Sequence, residues 1–159
     1  MKGDSKEMFW CAARIFVGGI IAYAGLTKLL EPRVNFEMSL MRYGVFPPVW
    51  IPWVARILPW VEWILGSFFV VGYLPRLTSL GMGLLSLLFL VTLGSSQMFV
   101  SSGSADCGCF GTVGFHLSVH QVFVLDLFNF LVAIRSLFLK NFPWSLESFL
   151  IEVENGKNR

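Results

Sequence analysis

Charged residues are scarce in this chain, and their scarcity argues against a soluble domain. Only 14% of the 159 residues are charged, whereas 55% are apolar; a soluble domain has about a quarter of its residues charged. A chain this short has too small an interior to bury so much apolar surface, so we predict that a lipid bilayer is its solvent. The net charge of +2 is too small to indicate binding to nucleic acid.

Several chemical motifs are also missing. The sequence has no Gly-rich phosphate-binding loop, no HExxH pattern and no GxSxG pattern, so it lacks the signatures of a nucleotide-binding loop, a zinc protease and a serine hydrolase. Cysteine occurs three times, and an odd number permits at most one intrachain disulfide. The chemistry of the chain must therefore come from a small set of residues.

Long apolar runs are what the sequence does contain. A membrane helix needs about 20 mostly apolar residues, and four windows meet this requirement. The predicted spans cover residues 8–30, 51–73, 77–100 and 117–139. We therefore predict an all-α fold, an integral membrane four-helix bundle that forms a single domain over residues 1–159.

The segments outside the spans are more polar. Residues 32–50 are too polar to cross a bilayer, and they predict an interfacial helix that stops at Pro47 and Pro48. Residues 140–159 form a C-terminal tail, in which 143–155 is predicted to be a short surface helix.

Lysine and arginine are distributed unevenly around the spans. They are more numerous on the side of the two termini, whereas the loop at 101–116 has none, although Arg33 and Arg42 lie on the side of that loop. Because positive residues favour the cytoplasmic side, we predict a multi-pass protein of the bacterial inner membrane with both termini in the cytoplasm. The 101–116 loop then faces outward, where disulfides persist.

Two of the three cysteines, Cys107 and Cys109, lie in this loop with one glycine between them. In an extended chain, residues i and i+2 have Cα atoms about 7 Å apart, whereas a relaxed disulfide needs about 5.5–6 Å. Gly108 permits the backbone to bend, and the strain that remains makes such a bond easy to reduce. The spacing therefore favours thiol–disulfide exchange.

Two other interpretations of the pair stay open. It is an inert glycine-rich turn if the cysteines act as small apolar residues. It is a zinc or copper site if Cys107 and Cys109 bind metal together with His116 and His120, which are four residues apart and share a helix face. The third cysteine, Cys11, lies toward the other end of the first span and is predicted to be an apolar helix residue.

Charged residues within the predicted spans are candidates for function, because a charge in a bilayer is costly. These residues are Arg14, Lys28, Arg56, Glu62 and Asp126. Two acids and two or three bases could meet inside a four-helix bundle, where an acid at mid-depth would handle protons released when thiols are oxidised. The competing interpretation is structural, with charge pairs in the bundle and long side chains that extend to the membrane surface.

A second group of residues could line a quinone pocket or serve only as bundle and interface residues: Gln97, Asn129, Trp53, Trp60 and Trp63.

Three stretches resemble a known family. They are "RIFVGGIIAYAGLTKLLEP" in the first span, "LPWVEWILG" in the second and "CGCFG" after the third. They are similar to the methylamine-utilisation MauE proteins within the DoxX-like group, over about residues 10–140. The matching residues are Arg14, Gly18, Gly25, Lys28, Pro32, Pro59, Glu62, Gly66, Cys107, Cys109, Phe110 and Gly111. The first two stretches recur across the DoxX-like group, whereas the third stretch is specific to a smaller set of proteins.

The resemblance implies a four-helix membrane protein that supports disulfide formation in exported proteins. Its expected site is the Cys107/Cys109 pair, with Gly108, Phe110 and Gly111 shaping the loop. Its expected partners, beside membrane lipid, are exported thioredoxin-like or disulfide-containing clients. By looser analogy with vitamin K epoxide reductase and the bacterial disulfide-generating quinone reductase, a quinone accepts the electrons.

We therefore expect a thiol–disulfide oxidoreductase or redox relay. Those analogues carry a C-x-x-C near a quinone, whereas this chain has C-x-C and no second cysteine pair on the outer side. That departure keeps two alternatives open: a non-catalytic membrane assembly or maturation subunit, and a metal carrier that uses the cysteine–histidine set.

Overall fold

The computed structural model describes residues 5–95 and 118–138. Every regular element in these ranges is an α-helix. The helices are α1 (Ser5–Leu30), α2 (Arg33–Tyr43), α3 (Ile51–Val71), α4 (Pro75–Ser95) and α5 (Val119–Phe138). Within these described residues, four segments are long and apolar enough to cross a membrane, namely Met8–Leu30, Ile51–Val71, Pro75–Ser95 and His120–Phe138. The predicted class, an all-α membrane protein with four spans, is confirmed.

The turn between α3 and α4 is where helix ends differ from the predicted ones. α3 ends at Val71 because Gly72 adopts a left-handed conformation (φ 71°), and its N–H donates to the Phe68 carbonyl oxygen at 2.9 Å. Pro75 is the first residue of α4 rather than part of the turn. A helix tolerates proline there because the first N–H groups have no partner within the helix.

α2 lies where the sequence predicts the interfacial helix. It follows Pro32 and ends at Tyr43, where the next residue, Gly44, is left-handed (φ 68°), so the helix stops four residues before the predicted stop at Pro47. Its buried residues recur at helical spacing; they are Phe36, Leu40 and Tyr43. Its opposite face exposes further apolar residues, namely Val34, Met38 and Met41. Both faces of α2 are therefore apolar.

α1 and α3 approach each other closely through glycine. A Cβ at Gly25 would lie 2.7 Å from the Pro59 carbonyl oxygen, and a Cβ at Gly66 would lie 2.5 Å from the Ala22 nitrogen. These neighbours are backbone atoms that cannot rotate away. Small residues allow membrane helices to pack backbone against backbone in this way, so α1 and α3 form a tight antiparallel pair.

α4 and α5 form the second antiparallel pair. Positions Gly83 and Gly94 on α4 face the side chains of Ala133 and Phe123 on α5, respectively. α1, α2 and α3 also meet, and α1 contacts α5. The bundle therefore has one end that holds α2, the last turns of α1 and α4, and the first turns of α3 and α5. We call this the α2 end.

Adding a side chain at the α1–α3 contact should separate the two helices. We expect Gly25→Ala to lower the free energy of unfolding by about 1–3 kcal/mol, the usual effect of overpacking. Gly19→Ala is the matched control on the same helix, because a Cβ there meets no atom within 4 Å. Thermal unfolding of the detergent-solubilised protein measures both; equal stability of the two variants would contradict this packing.

Candidate functional site

A buried ion pair joins α1 to α3. The Lys28 Nζ donates to both carboxylate oxygens of Glu62, at 2.6 Å and 2.7 Å. The two side chains are only 3% and 1% exposed. Lys28 follows Gly25 by one helical turn and Glu62 follows Pro59 by one turn, so the close contact of the two backbones leads directly to the pair.

The Lys28 ammonium also lies near aromatic rings of two further helices, α2 and α4. Its Nζ lies 5.0 Å from the centre of the Phe36 ring on α2 and 5.6 Å from the centre of the Phe89 ring on α4. A cation over the face of an aromatic ring is attracted to it, and more strongly where water is excluded. One side chain of α1 therefore contacts α2, α3 and α4.

A second polar contact joins α4 to α5. The Asn129 amide Nδ2 donates to the Ser86 hydroxyl at 2.5 Å, and that hydroxyl donates to the Met82 carbonyl oxygen at 2.9 Å. Asn129 and Ser86 are both buried. Such a contact holds membrane helices together, and it places polar groups in the bundle interior.

The five charged residues singled out in the sequence have different environments. Lys28 and Glu62 are in direct contact, whereas Arg56 is exposed on the surface of α3. Arg14 and Asp126 are buried, on α1 and α5 respectively. Arg14 precedes Lys28 by 14 residues, about 21 Å along the helix, so Glu62 pairs with Lys28 at one end of α1 while Arg14 lies near the other.

The tryptophans considered for a quinone pocket lie on the surface. Trp53, Trp60 and Trp63 are exposed, and the rings of Trp60 and Trp63 pack edge to face with centres 6.1 Å apart. The cavity at the α2 end is lined instead by other aromatic residues, mainly from α2 and the segment after it: Phe36, Tyr43, Phe46 and Phe89. The helical spacing of Phe36, Leu40 and Tyr43 indicates an apolar face, but the sequence does not distinguish it from the opposite face, where Val34, Met38 and Met41 have the same spacing.

The predicted redox loop lies outside the described residues. This applies to Cys107, Gly108, Cys109, Phe110, Gly111 and His116, and also to Gln97 and the tail helix at 143–155. The segment 96–117 leaves α4 and rejoins the described chain before α5, and both of those helix ends belong to the α2 end.

The other candidate metal ligand and the remaining cysteine are described. His120 is exposed in the first turn of α5, and Cys11 is partly buried on α1. Within residues 5–95 and 118–138, no group of three or more His, Cys, Asp or Glu side chains is arranged to hold a metal.

Comparison with known proteins identifies a family for this chain. A family model described as "Methylamine utilisation protein MauE" matches residues 6–139. The match includes the Lys28–Glu62 pair, the cysteine pair and nearly the whole of every helix. Searches of the curated proteins and of the solved structures gave no match.

The ion pair should stabilise the bundle only when both charges are present. We expect Lys28→Met or Glu62→Met alone to destabilise the protein by about 3–5 kcal/mol, because each leaves one buried charge uncompensated. The double variant should recover most of that loss, since two apolar side chains of similar volume replace the pair.

Thermal unfolding in detergent tests this double-mutant cycle. Arg56→Met is the control for removing a charge from the surface, and it should change stability by less than about 0.5 kcal/mol. Additive losses in the double variant would show that the two side chains are not energetically coupled.

Proposed function

Because the chain belongs to the MauE family, we propose that it is a membrane thiol–disulfide oxidoreductase or relay that supports disulfide formation in exported proteins. The observation that carries the proposal is the C-x-C pair, Cys107 and Cys109, inside the matched region. The segment that holds it begins and ends at the α2 end, where Lys28 lies in the last turn of α1.

The proposed chemistry is a two-electron exchange. A client thiolate attacks one sulfur of the Cys107–Cys109 disulfide, so that bond breaks, a mixed disulfide forms and the other cysteine leaves as a thiolate. A second client thiolate then attacks the mixed disulfide, which releases the client disulfide and leaves the pair as a dithiol. The dithiol is reoxidised when it passes two electrons and two protons to a quinone, which becomes a quinol.

Glu62 and Lys28 are the residues to which we assign proton handling. The carboxylate oxygens of Glu62, near the middle of α3, are held by Lys28, which lies in the last turn of α1 at the α2 end. Arg56 is a weaker candidate because its side chain is exposed on α3. Arg14 and Asp126 are buried and keep a supporting role in the proposal.

The proposed orientation places the α2 end outward. The positive-inside rule favours cytoplasmic termini and a bacterial inner membrane location, and the cysteine segment then lies where exported proteins fold. Clients are exported proteins with thioredoxin-like or disulfide-containing domains, which meet the outer surface of the membrane.

One observation supports a second candidate function. The chain has three cysteines in all, and Cys11 lies on the first half of α1, far along the helix from the α2 end. The chain therefore has no second pair with which to relay electrons internally. A non-catalytic assembly subunit, whose loop docks a partner, needs no such pair.

Single cysteine variants should capture the client. In a Cys11→Ser background, we expect Cys107→Ser or Cys109→Ser to accumulate a mixed disulfide with an exported protein. The remaining thiolate attacks a client disulfide and a client sulfur leaves as a thiolate, while the second thiol of the pair, which would displace the client, is missing. Non-reducing gels and mass spectrometry identify the adduct, and thiol counting with and without reductant gives the resting state of the pair.

The controls separate the candidates. Cys11→Ser alone should retain full client oxidation, and the Cys107→Ser/Cys109→Ser variant should lose it. Full client oxidation by the double variant, with no adduct in either single variant, would favour the assembly subunit. Bound zinc or copper that is lost in His116→Ala and His120→Ala would favour the metal carrier.

Thiol labelling should distinguish the two sides of the membrane. In reduced spheroplasts, a membrane-impermeant maleimide should label Cys107 and Cys109, while Cys11 should react only after permeabilisation, because it lies toward the opposite end of α1. Protection of the loop cysteines together with labelling of Cys11 would reverse the proposed orientation.

A further inference from the structure

Ser79 on α4 and Asn129 on α5 each carry a buried polar atom that has no hydrogen-bond partner among the residues that the structure describes. These atoms are the Ser79 hydroxyl oxygen and the Asn129 Oδ1, and the two residues are 0% and 1% exposed. Both lie within membrane spans, where the surrounding lipid supplies no hydrogen bonds and an unsatisfied polar group is costly. The two atoms therefore require a partner that the neighbouring side chains do not supply.

Both residues belong to the faces by which α4 and α5 meet. Ser86 contacts Asn129 directly, and Ser79 precedes Ser86 by seven residues, which is about two helical turns along the same face. Gly83 lies between the two serines and faces Ala133 on α5. We call the strip formed by Ser79, Gly83, Ser86, Asn129 and Ala133 the α4–α5 seam.

The seam has room beside Gly83. Gly83 is buried, yet a Cβ built on it meets the Ala133 Cβ at 3.8 Å, which is ordinary contact, and no closer neighbour among the described residues. At Gly25, by contrast, a Cβ would lie 2.7 Å from the Pro59 carbonyl oxygen. The packing of α4 on α5 therefore leaves a gap at Gly83 that would accept a methyl group, and a water molecule is of similar size.

The Asn129 amide keeps one unpaired end in either orientation. A carboxamide has an oxygen that accepts and a nitrogen that donates, and the Ser86 hydroxyl contacts one of these two ends. Ser79 has a local alternative, because a serine can donate to the carbonyl oxygen four residues before it, as Ser86 does to Met82. Asn129 is therefore the stronger of the two observations.

We propose that the α4–α5 seam binds water beside Gly83, where the water completes the hydrogen bonds of Asn129 and Ser79. Water fits because it both donates and accepts, carries no charge and matches the size of the gap; buried water typically makes about three hydrogen bonds. Asp126 is buried on the same face of α5, three residues before Asn129, so the water lies in the part of the bundle that holds this carboxylate. The inference does not depend on the thiol chemistry of the chain.

X-ray radiolysis of the full-length protein in detergent tests for this water. The pulse converts water to hydroxyl radicals, which oxidise the side chains beside it, and methionine is oxidised to its sulfoxide. Met82 is 0% exposed and lies one turn from both Ser79 and Ser86, whereas Met8 is on the surface. We expect mass spectrometry to find oxidation at both methionines. Oxidation of Met8 without oxidation of Met82 would overturn the proposal.

Gly83→Ala places a methyl group where the water is assigned. We expect this variant to lose the oxidation of Met82 and to keep that of Met8. Gly19→Ala is the matched control, because a Cβ at Gly19 meets no atom within 4 Å, and it should keep the oxidation of both methionines. Equal oxidation of Met82 in Gly83→Ala and in the unchanged protein would overturn the assigned position.

Thermal unfolding gives an independent result, whose sign depends on the water. If the gap were dry, Gly83→Ala would raise the midpoint of unfolding, because alanine favours a helix over glycine and adds contact with Ala133. If water is displaced, the midpoint should fall, because the Asn129 amide loses its partner. We expect the midpoint to fall, and a rise would overturn the proposal.

Removing the polar groups of the seam provides the matching background. In Ser79→Ala/Asn129→Leu neither side chain needs the water, so adding Gly83→Ala should raise the midpoint there while it lowers the midpoint of the otherwise unchanged protein. This reversal of sign separates loss of the water from simple overpacking, which would lower the midpoint in both backgrounds. A change in the same direction in both backgrounds would overturn the proposal.

Discussion

The contact between Lys28 and Glu62 is the interaction on which the rest of the bundle depends. A buried charge is tolerated when an opposite charge and hydrogen bonds compensate it, so α1 and α3 must keep the distance that gives Nζ–O contacts of 2.6 Å and 2.7 Å. Glycine at the helix contact supplies that distance, because Gly25 leaves no side chain between the backbones. The packing and the electrostatics therefore require each other.

The same pair organises the helices that do not contribute a charge. Because the Lys28 ammonium lies near the rings of Phe36 and Phe89, α2 and α4 are drawn to the place where α1 and α3 meet. α2 is only 11 residues long, too short to span a membrane. Its position over the end of the bundle follows from the residues it buries rather than from its own hydrophobic length.

The positions of the membrane spans could be predicted from the sequence, because a single physical requirement determines them. The contacts between helices could not, because they depend on how each helix is rotated about its own axis. The spans follow from length and apolar content, which the bilayer demands. The sequence did not determine which charged residue pairs with Glu62. The position of a residue along a helix gives its depth in the membrane, but it does not give the neighbouring helix that the residue faces. α3 accordingly exposes Trp60 to the surface while burying Glu62. The wall formed by α2 was difficult to assign because both of its faces are apolar.

The distribution of cysteine constrains how electrons would leave the proposed redox pair. Cys107 and Cys109 form the one pair that is close in sequence, and Cys11 lies on α1 far from the α2 end. An internal relay of disulfides is therefore not available to a single chain. Electrons from Cys107 and Cys109 must pass to another protein or to a small acceptor that reaches the same end of the bundle.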